Sequence, residues 1–322
     1  MTGMISFFGI LALPLLRLGL LAVTLATLAG YLAGHHWVLE LFSHFRIQLV
    51  AGALLLLLLA LLLGNRWSSG LAFAVLVANL YPVWPYLSGI GRAEAEPKPS
   101  LRVMAFNLHN KHADLASIEA YLARKQPDLV LLTELPPDGS DWLATLRPDY
   151  PHQALDRPVS TFDVALLSRR PIDAANFDRS VSPYLPVLTA RLCTAETAEP
   201  ADCLTVVGLH AANPLGASAL RDQQLRLAAQ KAAAVADGTV LLLGDLNTTP
   251  WAPIFGEVLE QGRLRDSAQG FALKGTWLSR NPLFGLPIDH VLLGEGLVSG
   301  SREVGPDLGS DHYPVVMDVY RR

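Results

Sequence analysis

Cysteine is nearly absent from this chain: Cys193 and Cys203 are the only two in 322 residues. Any metal centre must therefore draw on oxygen and imidazole ligands rather than on a set of thiolates. Charge is also scarce, at 17% of residues, and it is unevenly spread. Residues 1–100 carry five basic and three acidic side chains, and residues 101–322 carry the other 20 and 26, a net of −6. Basic clusters are missing from that second part except at Arg169-Arg170 and around Arg263 and Arg265. Tight, sequence-independent duplex binding uses basic surface to displace counterions, so the composition disfavours a processive DNA-binding protein. There are no internal repeats.

Apolar residues are abundant instead, at 51% of the chain, and the first third holds them in long runs. Three stretches, about 10–33, 47–63 and 69–90, approach the ~20 residues that a bilayer-crossing helix needs. The second is short and almost pure Leu and Ala, with Arg46 and Arg66 placed to snorkel at its ends. The link Gly64-Asn65-Arg66-Trp67 makes spans two and three an antiparallel pair. Tyr81, Trp84 and Tyr86 form an aromatic belt. A cleaved signal peptide is excluded by the two apolar stretches that follow the first. His35 and His36 read as solvated residues at the interface.

Residues 91–100 form a polar, Pro-containing linker to a domain at 101–322. Arg66 in the shortest loop places that loop in the cytoplasm and the C-terminal domain outside, while Arg46 argues the reverse. The cysteines decide between them. They close two strand-like runs around a polar loop, which suits a disulfide at the base of a hairpin and hence an oxidising compartment. The expectation is an integral protein of a bacterial inner membrane, with the lipid bilayer as partner and the C-terminal domain extracytoplasmic. Nothing in the sequence calls for a protein partner.

Residues 101–322 read as short aliphatic strands that repeatedly end in a polar residue. Leu101 to Phe106 runs into Asn107, and Leu129-Val130-Leu131-Leu132 into Thr133-Glu134. Val206-Val207-Gly208-Leu209 runs into His210, and Val240-Leu241-Leu242-Leu243 into Gly244-Asp245-Leu246-Asn247. Asp289 and His290 open another strand, and Asp311-His312 precede the last. A long amphipathic helix is expected over 218–236. Buried strands with helices outside form an α/β layered sandwich whose rim collects these polar residues. In-line hydrolysis of a phosphoester needs a group to activate water, a cation for the developing charge, and help for the leaving oxygen. Carboxylate and amide oxygens with histidines suit Mg²⁺, with Mn²⁺ as the alternative, better than zinc.

In these motifs the chain resembles the endonuclease/exonuclease/phosphatase superfamily. They are Phe106-Asn107-Leu108, Leu132-Thr133-Glu134, Val164 to Arg169, Gly208-Leu209-His210, Gly244 to Asn247, Gly275-Thr276-Trp277, Pro287 to His290, and Ser310 to Val315. Thr133 stands where the family usually has Gln, and Asp163 departs from the pattern before the central strand. The resemblance implies a four-layer, DNase I-like α/β sandwich over 101–322.

It also implies roles. Asn107, Glu134 and Asp311 serve the metal. His312, oriented by Asp289, takes a proton from water or polarises the phosphate. Asp245 positions or deprotonates the nucleophile, Asn247 bonds a phosphate oxygen, and His210 helps the phosphorane or the leaving group, with Asp163 as a candidate partner for His210. Thr276 and Trp277 read equally as site or core. His109 and His112 read as solvated residues at the mouth, and Arg221 as a salt-bridge former. The function expected is that of a membrane-anchored, metal-dependent phosphodiesterase or endonuclease; a phosphatase or sphingomyelinase-like hydrolase of lipid head groups is the alternative.

Overall fold

The computed structural model describes residues 2–87, 101–110, 113–157, 161–193, 203–271 and 274–322, with only the backbone for 2–10. The expected linker, His112 and the loop between the cysteines lie outside the described residues. The chain divides into two compact units, 1–85 with 251–253 and 86–250 with 254–322.

The N-terminal helices are α1 (Thr2–Tyr31), α2 (Trp37–Ser43), α3 (Arg46–Leu62) and α4 (Arg66–Leu87). Among the described residues two helical segments, Leu11–Tyr31 and Arg66–Leu87, are long and apolar enough to cross a membrane. The expected middle span differs. Helix α3 has 17 residues, about 25 Å at ~1.5 Å per residue, short of a ~30 Å hydrocarbon core. It reaches crossing length only together with α2, from which it is bent by 61°. Arg46 does not snorkel either. It is 3% exposed, donates to Asn79 Oδ1 at 3.0 Å, and lies 4.2 Å from the centre of the Tyr31 ring. Asn79 in turn donates to Thr27 Oγ1 at 2.8 Å, so one polar chain ties α1, α3 and α4 together. His36 caps α2, accepting from the Val38 N–H.

The second unit contains two six-stranded sheets. In order, one holds β11 (Leu297–Val304), β12 (Val315–Arg321), β1 (Leu101–Asn107), β2 (Leu129–Thr133), β4 (Val164–Ser168) and β3 (His152–Asp156). The other holds β5 (Ala174–Asp178), β6 (Val187–Cys193), β7 (Cys203–His210), β8 (Val240–Asp245), β10 (Asp289–Gly294) and β9 (Leu264–Asp266). Successive strand residues face opposite ways, and the two faces of the first sheet are filled accordingly. Val103, Ala105, Leu129 and Leu131 pack between the sheets against Val206, Leu241, Leu243 and Val291. Met104, Phe106, Val130 and Leu132 point outward against Ile118, Tyr121 and Leu122 of α5 (Leu115–Lys125) and Trp142 and Leu143 of α6 (Gly139–Thr145). On the other sheet α7 (Pro214–Ala233) lies over β6, β7 and β8, and α8 (Pro253–Gly262) stacks Phe255 on His290. Helix, sheet, sheet, helix is the expected layering. The backbone at Leu215, Gly216 and Ala217 is not helical, so the regular turns of α7 begin at Ser218, where the sequence periodicity put them, and end at Ala233.

Cys193 and Cys203 face each other across β6 and β7 and form the disulfide, with Cα atoms 4.0 Å apart. Their end of the sheet is opposite the polar rim, because β7 runs from Cys203 to His210.

Gly244 is the residue that allows β8 to carry Asp245 into that rim. Its φ is 134°, and a Cβ there would lie 2.0 Å from the carbonyl oxygen of Leu209 on the parallel neighbour β7. Both the backbone conformation and the space require glycine. Gly244→Ala is therefore expected to cost roughly 3 kcal/mol or more of stability, read as a lower urea midpoint of the detergent-solubilised chain.

Candidate active site

The rim forms because the strands that bear the polar residues end at one edge of the sandwich. Register sets Asp289 beside Asp245 across the antiparallel pair β10/β8, and His210 beside Asp245 across the parallel pair β7/β8. Asn107 and Thr133 are likewise partners at the ends of β1 and β2. Glu134 follows with φ 51° and Asn247 with φ 47°. Asn tolerates this left-handed region; at Glu134 it costs on the order of 1–3 kcal/mol.

His312 Nδ1 lies 2.8 Å from Asp289 Oδ2, and both side chains are buried. This fixes the imidazole and turns Nε2 toward Asp245 Oδ2 and Asp311 Oδ1, each at 3.9 Å. Asn107 Nδ2 donates at 3.0 Å to both Glu134 Oε1 and Asp245 Oδ2, drawing two carboxylates together. Its Oδ1 accepts from the His109 N–H. His210 Nε2 lies 3.6 Å from Glu134 Oε1 and 3.5 Å from Asp245 Oδ2. Asn247 receives its backbone orientation from Asp245 Oδ1 and donates its amide to the Ala211 carbonyl at 2.8 Å.

The electrostatics follow from burial and crowding. Burial pushes the Asp245 carboxyl above the usual carboxylate range; Asp289 adds to this, and His312 and His210 oppose it. Burial pulls the His312 imidazolium down, but Asp289, Asp245 and Asp311 more than reverse that and leave it raised, favouring the charged form.

The structure thus brings together Asn107, Glu134, His210, Asp245, Asp289, Asp311 and His312, with Asn247 alongside. Asp163 is not the hydrogen-bonded partner of His210: it faces Arg157 Nε at 3.4 Å, and His210 sits among Glu134 and Asp245 instead. Burial raises the Asp163 carboxyl to about 6, against the pull of Arg157.

Several supporting residues had a role that the sequence did not assign. Ser310 Oγ donates to the Asn107 carbonyl at 2.7 Å and accepts from the His312 N–H at 3.0 Å, so it joins the first motif to the last. Gln224 on α7 donates to the His210 carbonyl and accepts from the Ala212 N–H. Trp277 Nε1 donates to Asp311 Oδ2 at 3.1 Å, and Thr276 Oγ1 accepts from the Ile288 and Asp289 N–H groups, which resolves both toward the site. His109, read as solvated, lies with Nδ1 2.8 Å from Asp311 Oδ1. Buried Arg221 pairs with Asp222 as expected, and it also reaches the Asn247 carbonyl at 3.4 Å. Ser310, Thr276 and Trp277 stood within motifs the sequence showed; Gln224 stood in none.

The donor set fits a hard divalent cation. Asp245, Asp289 and His312 each offer one atom within 4.8 Å of the others. The Glu134 and Asp311 carboxylates are close by and more open, with side chains 19% and 25% exposed. Four acids around two histidines leave negative charge that a cation would balance, and no thiolate is present.

An α/β sandwich with this rim defines a phosphoester-hydrolysing class of protein. Residues 104–312 match the Endonuclease/Exonuclease/phosphatase family, and the chain belongs to it. No curated protein matches. Among solved structures the fold is similar to the human Nocturnin catalytic domain with bound sulfate (16% identity, TM-score 0.59, 71% of this chain and 97% of that one). It is also similar to a 3′ phosphatase from Neisseria bound to a product DNA hairpin (18%, 0.55, 68% and 99%). A Bacteroides thetaiotaomicron mannosyl-6-phosphatase aligns comparably (18%, 0.56, 68% and 99%).

Proposed function

We propose that this protein is a membrane-anchored, divalent-metal-dependent phosphodiesterase or endonuclease with its catalytic domain on the extracytoplasmic side. The single observation that carries the chemistry is the convergence of Asp245, Asp289 and His312 at one strand edge, with Asn107 gathering Glu134 and Asp245. Glu134 and Asp311, with Asn107 beside them, would hold Mg²⁺ or Mn²⁺. When bound, that cation supplies charge neutralisation for the phosphate. Asp245, raised toward neutrality, receives the proton of the attacking water. His312, held charged by Asp289, donates to a phosphoryl oxygen. Asn247 bonds another, and His210 protonates the leaving oxygen. Water attacks phosphorus, one P–O ester bond breaks, and the products are a phosphomonoester and an alcohol. The two membrane-length helices and the disulfide support the location.

The detergent-solubilised chain should hydrolyse bis-p-nitrophenyl phosphate with Mg²⁺ or Mn²⁺. EDTA should reduce the rate at least a hundredfold, and added metal should restore it. An unchanged rate in EDTA would sink the metal-dependent reading.

A further inference from the structure

Arg17 is the only charged residue in Leu11–Tyr31, a segment of membrane-crossing length, and its side chain is exposed. A charge in such a segment is costly and ordinarily faces a partner or a polar cavity. No carboxylate is at hand. Glu40 is the only acidic residue before Glu94. It lies buried on α2, beyond the far end of α1, with His44 as its neighbour at 3.9 Å. The arginine of α3, Arg46, is held by Asn79 and Tyr31. Arg17 has to find its anion elsewhere.

What Arg17 faces is a cavity of about 350 Å³ between α1 and α4. Arg17, Leu20, Leu21 and Thr24 recur at helical spacing, so they share a face of α1 and form one wall. Trp67, Ser68 and Leu71 form the other. The two helices run parallel, because Thr27 meets Asn79 and Tyr31 donates to the Ala78 carbonyl while Arg17 lies level with Trp67 and Ser68. Arg66 adds a second cation at that level, with its guanidinium 5.5 Å from the centre of the Trp67 ring. Leu20 closes the floor. It is 3% exposed and packs with Leu16, Ala60 and Ala72 where α1, α3 and α4 meet, so the cavity is preformed. Thr24 Oγ1, on the cavity wall, is shielded from solvent and has no hydrogen-bond partner among the described residues. Thr27, by contrast, donates to the Val23 carbonyl at 2.7 Å. A shielded hydroxyl is costly to leave unpaired, which makes Thr24 a donor awaiting an acceptor.

We propose that this cavity binds the head group of an anionic phospholipid. The proposal rests on the membrane-anchored part of the reading above and is independent of the hydrolysis. Arg17 would meet the phosphate, with the Thr24 and Ser68 hydroxyls as further donors. Leu20, Leu21 and Leu71 would line the first acyl segment, and Trp67 suits the head-group level. Basic pockets between membrane helices hold anionic head groups by this combination. A zwitterionic lipid brings its own cation to the phosphate, so an anionic head group fits Arg17 and Arg66 better. A second copy of the chain fits worse, because its apolar segments supply no acid except Glu40. Both arginines stand on the side of the link Gly64-Asn65-Arg66-Trp67, so the lipid belongs to the leaflet on that side.

Native mass spectrometry of the full chain, from micelles holding equimolar phosphatidylglycerol and phosphatidylethanolamine, tests this. Wild type should retain one phosphatidylglycerol per chain, at least about fivefold over phosphatidylethanolamine. Arg17→Gln should lower that preference at least about fivefold, as expected for one arginine near an anionic head group. Arg17→Lys, which keeps the charge, should stay within about threefold of wild type. Leu71→Trp fills the cavity and leaves both arginines, and it should lower retention as Arg17→Gln does. Circular dichroism checks that the helices persist in each variant. Equal retention of the two lipids by wild type overturns the proposal, and so does an unchanged preference in Arg17→Gln. Unchanged retention in Leu71→Trp overturns it too, by placing the lipid outside the cavity. A wild-type dimer that retains no lipid gives the groove to a second copy. A chain that stays in solution without detergent removes the anchor and the site together, whereas an anchored chain without lipid preference removes the site alone.

Discussion

Replacing His312 by Ala, or Asp245 by Ala, is expected to reduce kcat/KM for a phosphodiester by at least about a thousandfold while leaving the fold intact. The two groups act on the same reacting phosphate, so loss of either removes an interaction made mainly in the transition state, worth ~10²–10⁴ each. Their effects should not multiply in the double variant, because residues that work as a unit are not additive. Steady-state kinetics with matched urea midpoints would check this. A stable, folded His312→Ala protein with more than a tenth of wild-type activity would remove His312 from the chemistry. Asp245 needs the folding control more, because its Oδ2 also holds Asn107 and its Oδ1 the Asn247 N–H.

Asp289→Asn should separate orientation from charge. The amide can still accept from His312 Nδ1 across the 2.8 Å contact, but it brings no negative charge. The carboxylate is the largest influence holding the buried His312 imidazolium charged, and burial alone would push it the other way. In the wild type, the protonated and active form of His312 persists to well above the ~6.5 of an ordinary histidine and is lost as pH rises through the raised value. In Asp289→Asn that alkaline limb should move down by several pH units, with kcat reduced roughly 10²–10⁴-fold at pH 8. The acid limb belongs to Asp245. Its raised pKa means activity falls with decreasing pH before an ordinary carboxylate, at ~3.9, would protonate. A profile of kcat/KM against pH in both proteins tests the assignment. An alkaline limb that stays in place would show that His312 titrates independently of Asp289.

The sequence determined the layering and most of the site. Continuous aliphatic runs, each closing on a polar residue, require strands covered on both faces with one polar edge, because successive side chains point to opposite faces and both must then be buried. Asn107, Glu134, His210, Asp245, Asn247, Asp289, Asp311 and His312 were all legible that way, as was the cysteine pair. Local sequence could not give what depends on register and loop closure. That Asp289 orients His312 was implied by the family resemblance; the physical cause is tertiary, with β10 lying beside β8 while the Ser310 hydroxyl pins the last motif to Asn107. That His210 faces Glu134 and Asp245, and Asp163 faces Arg157, depends on where β4 and β7 stand in different sheets. The burial of Arg46 came from a partner 33 residues away, Asn79, which no hydropathy window contains. The gathering of Leu155, Tyr184, Leu215, Leu283 and Phe284 at one end is also a tertiary fact. Leu283 and Phe284 are neighbours, but the others stand far apart in sequence, and only the direction of the strands brings them to the same end of the sheets.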